Sequence, residues 1–266
     1  MDKLQLHYKR IWRLQYTDEC LTTKSGMLQP AIFEGRECML KIIRREKDHR
    51  GNELMIWWNG EGAARVWMHD KTAVLMERAK AARSLAEMAR TGQDSVATRI
   101  LCDVTARLHK HRPPYPLSLV PLASWFKELL VAAKPFDELL TQCAKVADAL
   151  LKSQQDIVAL HGDVHHGNVL DFGARGWLAI DPKGLVGERG FDYANIFCNP
   201  NAGVATKPGR LIQQAVLVAD AVGLDRRRLL QWVAAWAGLS AIWSIHDRED
   251  PQTAMIVAKL ALAQLS

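Results

Sequence analysis

The chain has 266 residues, with 35 Lys+Arg against 29 Asp+Glu and a net charge of +6. That length suits one large domain or two small ones and can bury a substantial core. Hydrophobic residues make up 48% and charged residues 24%, which excludes disorder, collagen and coiled coil as the main state. No run of five like charges occurs, so a phosphate binder is favoured over a plain DNA binder, and for the charge alone a solvated basic surface is the preferred reading. Cys20, Cys38, Cys102, Cys143 and Cys198 lie at least 18 residues apart, without a C-x-x-C pair, and suit a reducing cytoplasm. The longest apolar stretch, residues 232–243, is broken by Ser240 and falls short of the ~20 residues a bilayer demands. The first ten residues hold no apolar signal core. A cytoplasmic monomer without a membrane partner is expected.

In chain order, strands are expected over residues 11–16 and 20–23, then a loop holding Ser25, Gly26 and Pro30. Strands 31–33 and 38–43 flank the turn Glu34-Gly35-Arg36. A helix over 47–58 is closed by Asn59-Gly60-Glu61-Gly62, and short strands follow at 64–68 and 73–77. Helices are expected at 84–90 and 94–110, the second capped by Asp94 or Ser95, before a Pro-rich break at 111–116. Two more cover 122–133 and 136–152. Residues 157–181 turn back to strand and loop, and helices at 208–222, 226–244 and 251–265 complete the chain. Asp250-Pro251 reads as N-cap and first helical residue of the last one. The layout is a β-rich lobe (1–78), a connector (79–83) and a mainly helical lobe (84–266), an α+β architecture.

The segment with chemistry runs from His161 through Gly162, Asp163, Val164, His165, His166, Gly167 and Asn168. Polar residues this dense between two apolar runs imply a loop at the mouth of a core. Asp163 and Asn168 have the D-x-x-x-x-N spacing of a kinase catalytic loop, in which the Asp takes a hydroxyl proton and the Asn holds Mg²⁺. A second metal carboxylate is expected across a short hairpin, and Asp181 fits it. Asp171-Phe172-Gly173 spells a kinase tripeptide, but three residues after Asn168 leave no room for that hairpin, so it reads as a turn. Lys41, between Leu40 and Ile42 on an apolar strand, needs an anion. The histidines 161, 165 and 166 also invite a metallohydrolase reading, but no distant ligand set accompanies them. Trp232, Trp236 and Trp243 share one helical face, which suits core packing better than stacking on a cationic ligand.

His161-Gly-Asp-x-His-x-x-Asn168 followed by Trp177-Leu-Ala-Ile-Asp181-Pro-Lys-Gly-Leu-Val-Gly-Glu-Arg-Gly-Phe-Asp192 resembles the aminoglycoside phosphotransferases, in their streptomycin 6-phosphotransferase and hydroxyurea phosphotransferase branch. Trp57-Trp58-Asn-Gly-Glu-Gly-Ala-Ala-Arg65 and Leu75-Met-Glu-Arg-Ala79 extend the resemblance over most of the chain. It implies a two-lobed, protein-kinase-like fold with ATP between the lobes. Asp163 then matches the catalytic base, Asn168 and Asp181 the Mg²⁺ ligands, and Lys41 the lysine on the α/β-phosphates. Glu77, Arg78 and Ala79 match the hinge that meets adenine, and Asp192 an Asp that steadies the catalytic loop together with His161 and His165. The acid paired with Lys41 is Asp48, where the branch carries Glu, or Glu53, with Asp48 preferred. No G-x-G-x-x-G lies between the first strands. The implied acceptor is a cationic aminoglycoside, streptomycin at its 6-position, with resistance as the outcome. Glu188, Asp247, Glu249 and Asp250 are candidates for an acidic acceptor pocket. A kinase of the same fold acting on hydroxyurea or another small metabolite, or a nucleotide-binding pseudokinase, are the alternatives.

Overall fold

The computed structural model describes residues 2–23, 26–44, 49–110, 114–136 and 138–265. Asp2 caps a first helix, α1 (Lys3–Ile11), through a reciprocal box in which the Asp2 N–H donates to the Gln5 side chain. That helix and the turn at Arg13 (φ +52°) reduce the strand expected over 11–16 to β1 (Gln15–Tyr16). Next come β2 (Leu21–Thr22), β3 (Gly26–Phe33), β4 (Arg36–Ile43), helix α2 (His49–Trp58), β5 (Val66–His69) and β6 (Ala73–Glu77). The six strands form an antiparallel sheet in the order β1-β3-β4-β6-β5, with β2 also on β3. The expected loop at Gly26 and Pro30 is therefore strand. Pro30 is tolerated because its carbonyl faces Thr17 N–H on the β1 side, so its missing donor removes no bond to β4.

Side chains of β6 alternate between two cores. Ala73 and Leu75 join Tyr8, Trp12, Leu40 and Ile42 under α1, whereas Val74 and Met76 join α2 and the core of the rest of the chain. The sheet thus has apolar cover on both faces.

Beyond β6 lie α3 (Leu85–Arg90), α4 (Asp94–Leu108), β7 (Val120–Pro121), α5 (Leu122–Trp125), α6 (Lys127–Phe136) and α7 (Glu138–Lys152). The strands β8 (Ile157–Leu160), β9 (Val169–Asp171), β10 (Trp177–Ala179) and β11 (Leu185–Glu188) follow. A 3₁₀ segment (Arg189–Cys198) leads to α8 (Ala202–Ala205), α9 (Arg210–Val222), α10 (Arg226–His246) and α11 (Gln252–Ala263). β9 and β10 make a hairpin, and β11 lies between β7 and β8. The helix expected over 122–133 is two, divided at the buried Phe126. The N-cap of α4 is Gln93 rather than Asp94 or Ser95, because Asp94 is committed elsewhere: Arg210 Nε donates to it at 2.7 Å and Gln214 at 2.6 Å, both from α9. Pro251 occupies the cap position of α11, and Asp250 accepts the Gln252 N–H at 2.9 Å. Among the described residues no helix is long and apolar enough to cross a membrane.

Candidate active site

The loop between β8 and β9 is held from below. Asp192, on the 3₁₀ segment, accepts the His161 N–H at 2.8 Å and the Gly162 N–H at 2.7 Å, and His109 at the end of α4 adds a third bond at 2.8 Å. His161 Nδ1 accepts the Asp163 N–H at 3.2 Å, which leaves the ring proton on Nε2 to bind the Ile180 carbonyl at 2.9 Å. Burial pushes the His161 imidazole below its ordinary pKa, consistent with a neutral ring. His165 is likewise lowered by burial, and its Nδ1 accepts the Gly167 N–H at 3.0 Å. Both histidines shape the loop. Among the described residues no cluster of three or more His, Cys, Asp or Glu converges as a metal site.

Asp163 projects from this loop and is fixed by two amides. Asn168 Nδ2 donates to its main-chain carbonyl at 2.9 Å and to Oδ2 at 3.2 Å, and Asn195 Nδ2 donates to Oδ1 at 2.9 Å. The Asn195 amide cannot turn over freely. Its Oδ1 accepts from Trp236 Nε1 at 3.0 Å and from Asn199 Nδ2 at 2.9 Å, so its donor must face Asp163. Asp181 follows β10 in a left-handed conformation (φ +57°), which Asp tolerates better than most residues. Lys41 Nζ, from the C-terminal half of β4, meets Asp181 Oδ1 at 2.5 Å, and Lys183 Nζ meets Oδ2 at 2.9 Å. Burial alone would raise the Asp181 carboxyl, but the two ammonium groups outweigh it and hold its pKa at about 2.

Asp163, Asn168, Asp181 and Lys41 are therefore gathered at one place, although Lys41 is 140 residues from Asp181. The donor set fits a hard divalent cation: Asp181 supplies carboxylate oxygens, and Asn168, whose Nδ2 is turned to Asp163, presents its amide oxygen on the other side.

Other candidates have different positions. Asp48 lies outside the described residues. Glu53 does not pair with Lys41; its exposed carboxylate accepts the Ser118 hydroxyl hydrogen bond instead. Glu77 ends β6 with its side chain on Arg175 Nη1 at 2.5 Å, and Arg78 meets Asp18 at 3.0 Å. Ala79 follows, and the next two amides, of Lys80 and Ala81, donate to the Asp171 carbonyl at 2.8 and 3.1 Å. Asp171 also binds Arg83 Nε at 2.7 Å and the Gly173 N–H at 3.0 Å, so the Asp-Phe-Gly tripeptide secures the connector. Glu188 is withdrawn from the acceptor pocket: it is 2% exposed and neutralised by Arg228 at 2.6 Å, with Trp232 Nε1 donating at 2.8 Å. Asp247, Glu249 and Asp250 are exposed at the turn between α10 and α11. Trp232 and Trp236 are core residues as expected, but each indole N–H also serves a polar partner. Asn195 and His109 escape a reading by spacing, because their contacts join separate segments, whereas Lys183 stands two residues after Asp181 and its further contact with Asp163 is what spacing does not show.

A family model for aminoglycoside/hydroxyurea antibiotic resistance kinases matches residues 11–248. The chain belongs to that family. Within the aminoglycoside/hydroxyurea kinases it is similar to a streptomycin 3''-kinase from Klebsiella pneumoniae, 48% identical over 241 residues, or 89% of this chain and 90% of the relative. A streptomycin 6-kinase from Streptomyces glaucescens is 29% identical, covering 95% of this chain and 85% of the relative. A choline kinase from Streptococcus pneumoniae, at 11% identity, superposes with a TM-score of 0.66 over 98% of both chains, and shows this family member to have the protein-kinase-like α+β fold.

Proposed function

We propose that this chain transfers the γ-phosphoryl group of ATP to a hydroxyl of streptomycin, and so confers resistance to it. The observation that carries the reading is the meeting of Lys41 from β4 with Asp181 beside Asp163 and Asn168, two carboxylates with a lysine reaching them from the sheet. The 48% identity to a streptomycin 3''-kinase favours the 3''-hydroxyl over the 6-position that the sequence motifs suggest.

Asp163 accepts the proton of the acceptor hydroxyl, and Asn168 and Asn195 keep its carboxylate aimed. Lys41 leaves Asp181 for the nonreacting phosphates, while Asn168 and Asp181 would hold Mg²⁺. That ion neutralises charge on the phosphates when bound. Residues 77–79 line the adenine, with the two lobes, 1–78 and 84–266, on either side of the connector 79–83. Asp247, Glu249 and Asp250 remain the acidic groups offered to the cationic acceptor.

The test is ADP release with ATP and Mg²⁺ in the presence of streptomycin, hydroxyurea, kanamycin or no acceptor, with Asp163→Ala in parallel. Turnover is expected with streptomycin and is expected to fall by roughly 10³-fold or more in the variant. NMR of the product assigns the phosphorylated position. Turnover with hydroxyurea alone, or none with any acceptor, overturns the substrate assignment.

A further inference from the structure

Lys183 is anchored at its root to the loop that carries Asp163. Its backbone N–H donates to the His161 carbonyl at 2.6 Å. A Cβ built on Gly162 would stand 3.2 Å from the Lys183 Cβ and 2.8 Å from Leu185, so the two segments run side by side at a distance that suits glycine. From this root the ammonium reaches Asp163 Oδ2 at 3.1 Å and Asp181 Oδ2 at 2.9 Å. Lys41 occupies the other oxygen of Asp181. Of these two lysines, only Lys183 also pairs with the candidate base.

Phosphoryl transfer spreads negative charge over the three equatorial oxygens of the moving group, and an enzyme assists mainly by placing positive charge and donors there. The moving group must adjoin the hydroxyl held by Asp163 and also the carboxylate that faces the phosphates. The space between Asp163 and Asp181 meets both demands, and the Lys183 ammonium is in it. We propose that Lys183 is a catalytic residue whose N–H groups bind the phosphoryl group during transfer. The proposal rests on the phosphotransferase reading above. In the step, the acceptor oxygen bonds to the γ-phosphorus, and the bond from that phosphorus to the β,γ-bridging oxygen breaks. Its electron pair leaves with ADP, and the hydroxyl proton passes to Asp163. Lys183 keeps its proton throughout.

The test compares Lys183→Met and Lys183→Arg with the unaltered protein in two measurements: kcat with streptomycin, and the Kd of ADP with Mg²⁺ by calorimetry. Lys183→Met is expected to lose roughly 100-fold or more in kcat, while the Kd for ADP with Mg²⁺ stays within about threefold. Lys183→Arg, which keeps the charge, is expected to recover part of the loss and serves if the Met variant fails to fold. A kcat within about threefold of the unaltered protein overturns the proposal. So does a Kd that weakens in parallel with kcat, which would make Lys183 a holder of bound nucleotide only. If the unaltered protein does not turn over streptomycin, the acceptor assignment falls and this proposal is judged on slow ATP hydrolysis to water, with the same expected loss and the same overturning result.

Discussion

Asn195 is the side chain whose removal separates aim from binding most cleanly. It touches Asp163 through one donor, and its orientation is dictated by Trp236 and Asn199 behind it. Asn195→Ala should lower kcat by about 10- to 100-fold, since small misplacements of a reacting group cost on that scale. KM for ATP should remain within about twofold. Trp236→Phe keeps the ring and deletes its N–H; a loss of kcat smaller than in Asn195→Ala, with the same unchanged KM, is the expected result. Steady-state kinetics decides both. Asp163, Asn168 and Asp181 were legible in the sequence because their geometry is local, with a loop and one hairpin between them. Asn195 was not, since a lone Asn carries no spacing signal and its partners come from two other segments. Glu188 was misread for a related reason. Composition shows a carboxylate but not the Arg228 guanidinium, 40 residues later, that neutralises it in the interior.

Among elements, the α4–α9 contact shows how a helix start can be committed to distant work. Asp94 receives Arg210 Nε at 2.7 Å, Arg210 Nη2 at 3.0 Å and Gln214 Nε2 at 2.6 Å. Burial alone would raise the Asp94 carboxyl, but the Arg210 guanidinium and then Gln214 pull it below the ordinary carboxylate value of 3.8. The folded protein therefore binds this proton less readily than the unfolded chain. The stability it contributes is complete above that ordinary value and is lost as pH falls through it towards the folded pKa. Asp94→Asn should cost about 2 kcal/mol at pH 7, the scale of hydrogen bonds to a charged group. The gap between the two proteins in urea unfolding should close as pH drops below about 4. Most element positions followed from apolar periodicity, and the errors have identifiable causes. Asp-x-x-Gln at the start was a readable helix signal for α1, whereas Pro30 masked a strand because its missing donor lies on the β1 side and leaves the ladder to β4 intact.

The whole molecule is less divisible than its chain layout implies. Val74 and Met76 of the sheet share a core with residues as distant as Ala258, and Arg175 ties the β9–β10 hairpin to Glu77 and to the Gly60 carbonyl, each bond 2.5–2.6 Å. Ala64 N–H donates to the Ala179 carbonyl at 2.9 Å, which joins the same two regions again. Heat should therefore unfold the chain in one transition, with far-UV circular dichroism and tryptophan fluorescence tracing the same midpoint. Two separated midpoints would show that the sheet melts on its own. Helix α2 makes a third junction. A Cβ on Gly51 would fall 1.9 Å from the Pro182 carbonyl oxygen, so the bare glycine backbone lies directly against the strand of chain between Asp181 and Lys183.

That bare spot foretells an uneven mutational map. In a library of single substitutions selected by growth on antibiotic, position 51 should be closed to every side chain, alanine included, because the Pro182 carbonyl oxygen leaves no room for a Cβ. Gly35, whose added Cβ would meet nothing within 4 Å and whose φ of +76° Asn or Asp can adopt, should admit those two residues in survivors. Two glycines of equal size would then mark opposite things: one a turn that asks only for a backbone shape, the other a seam that forbids matter.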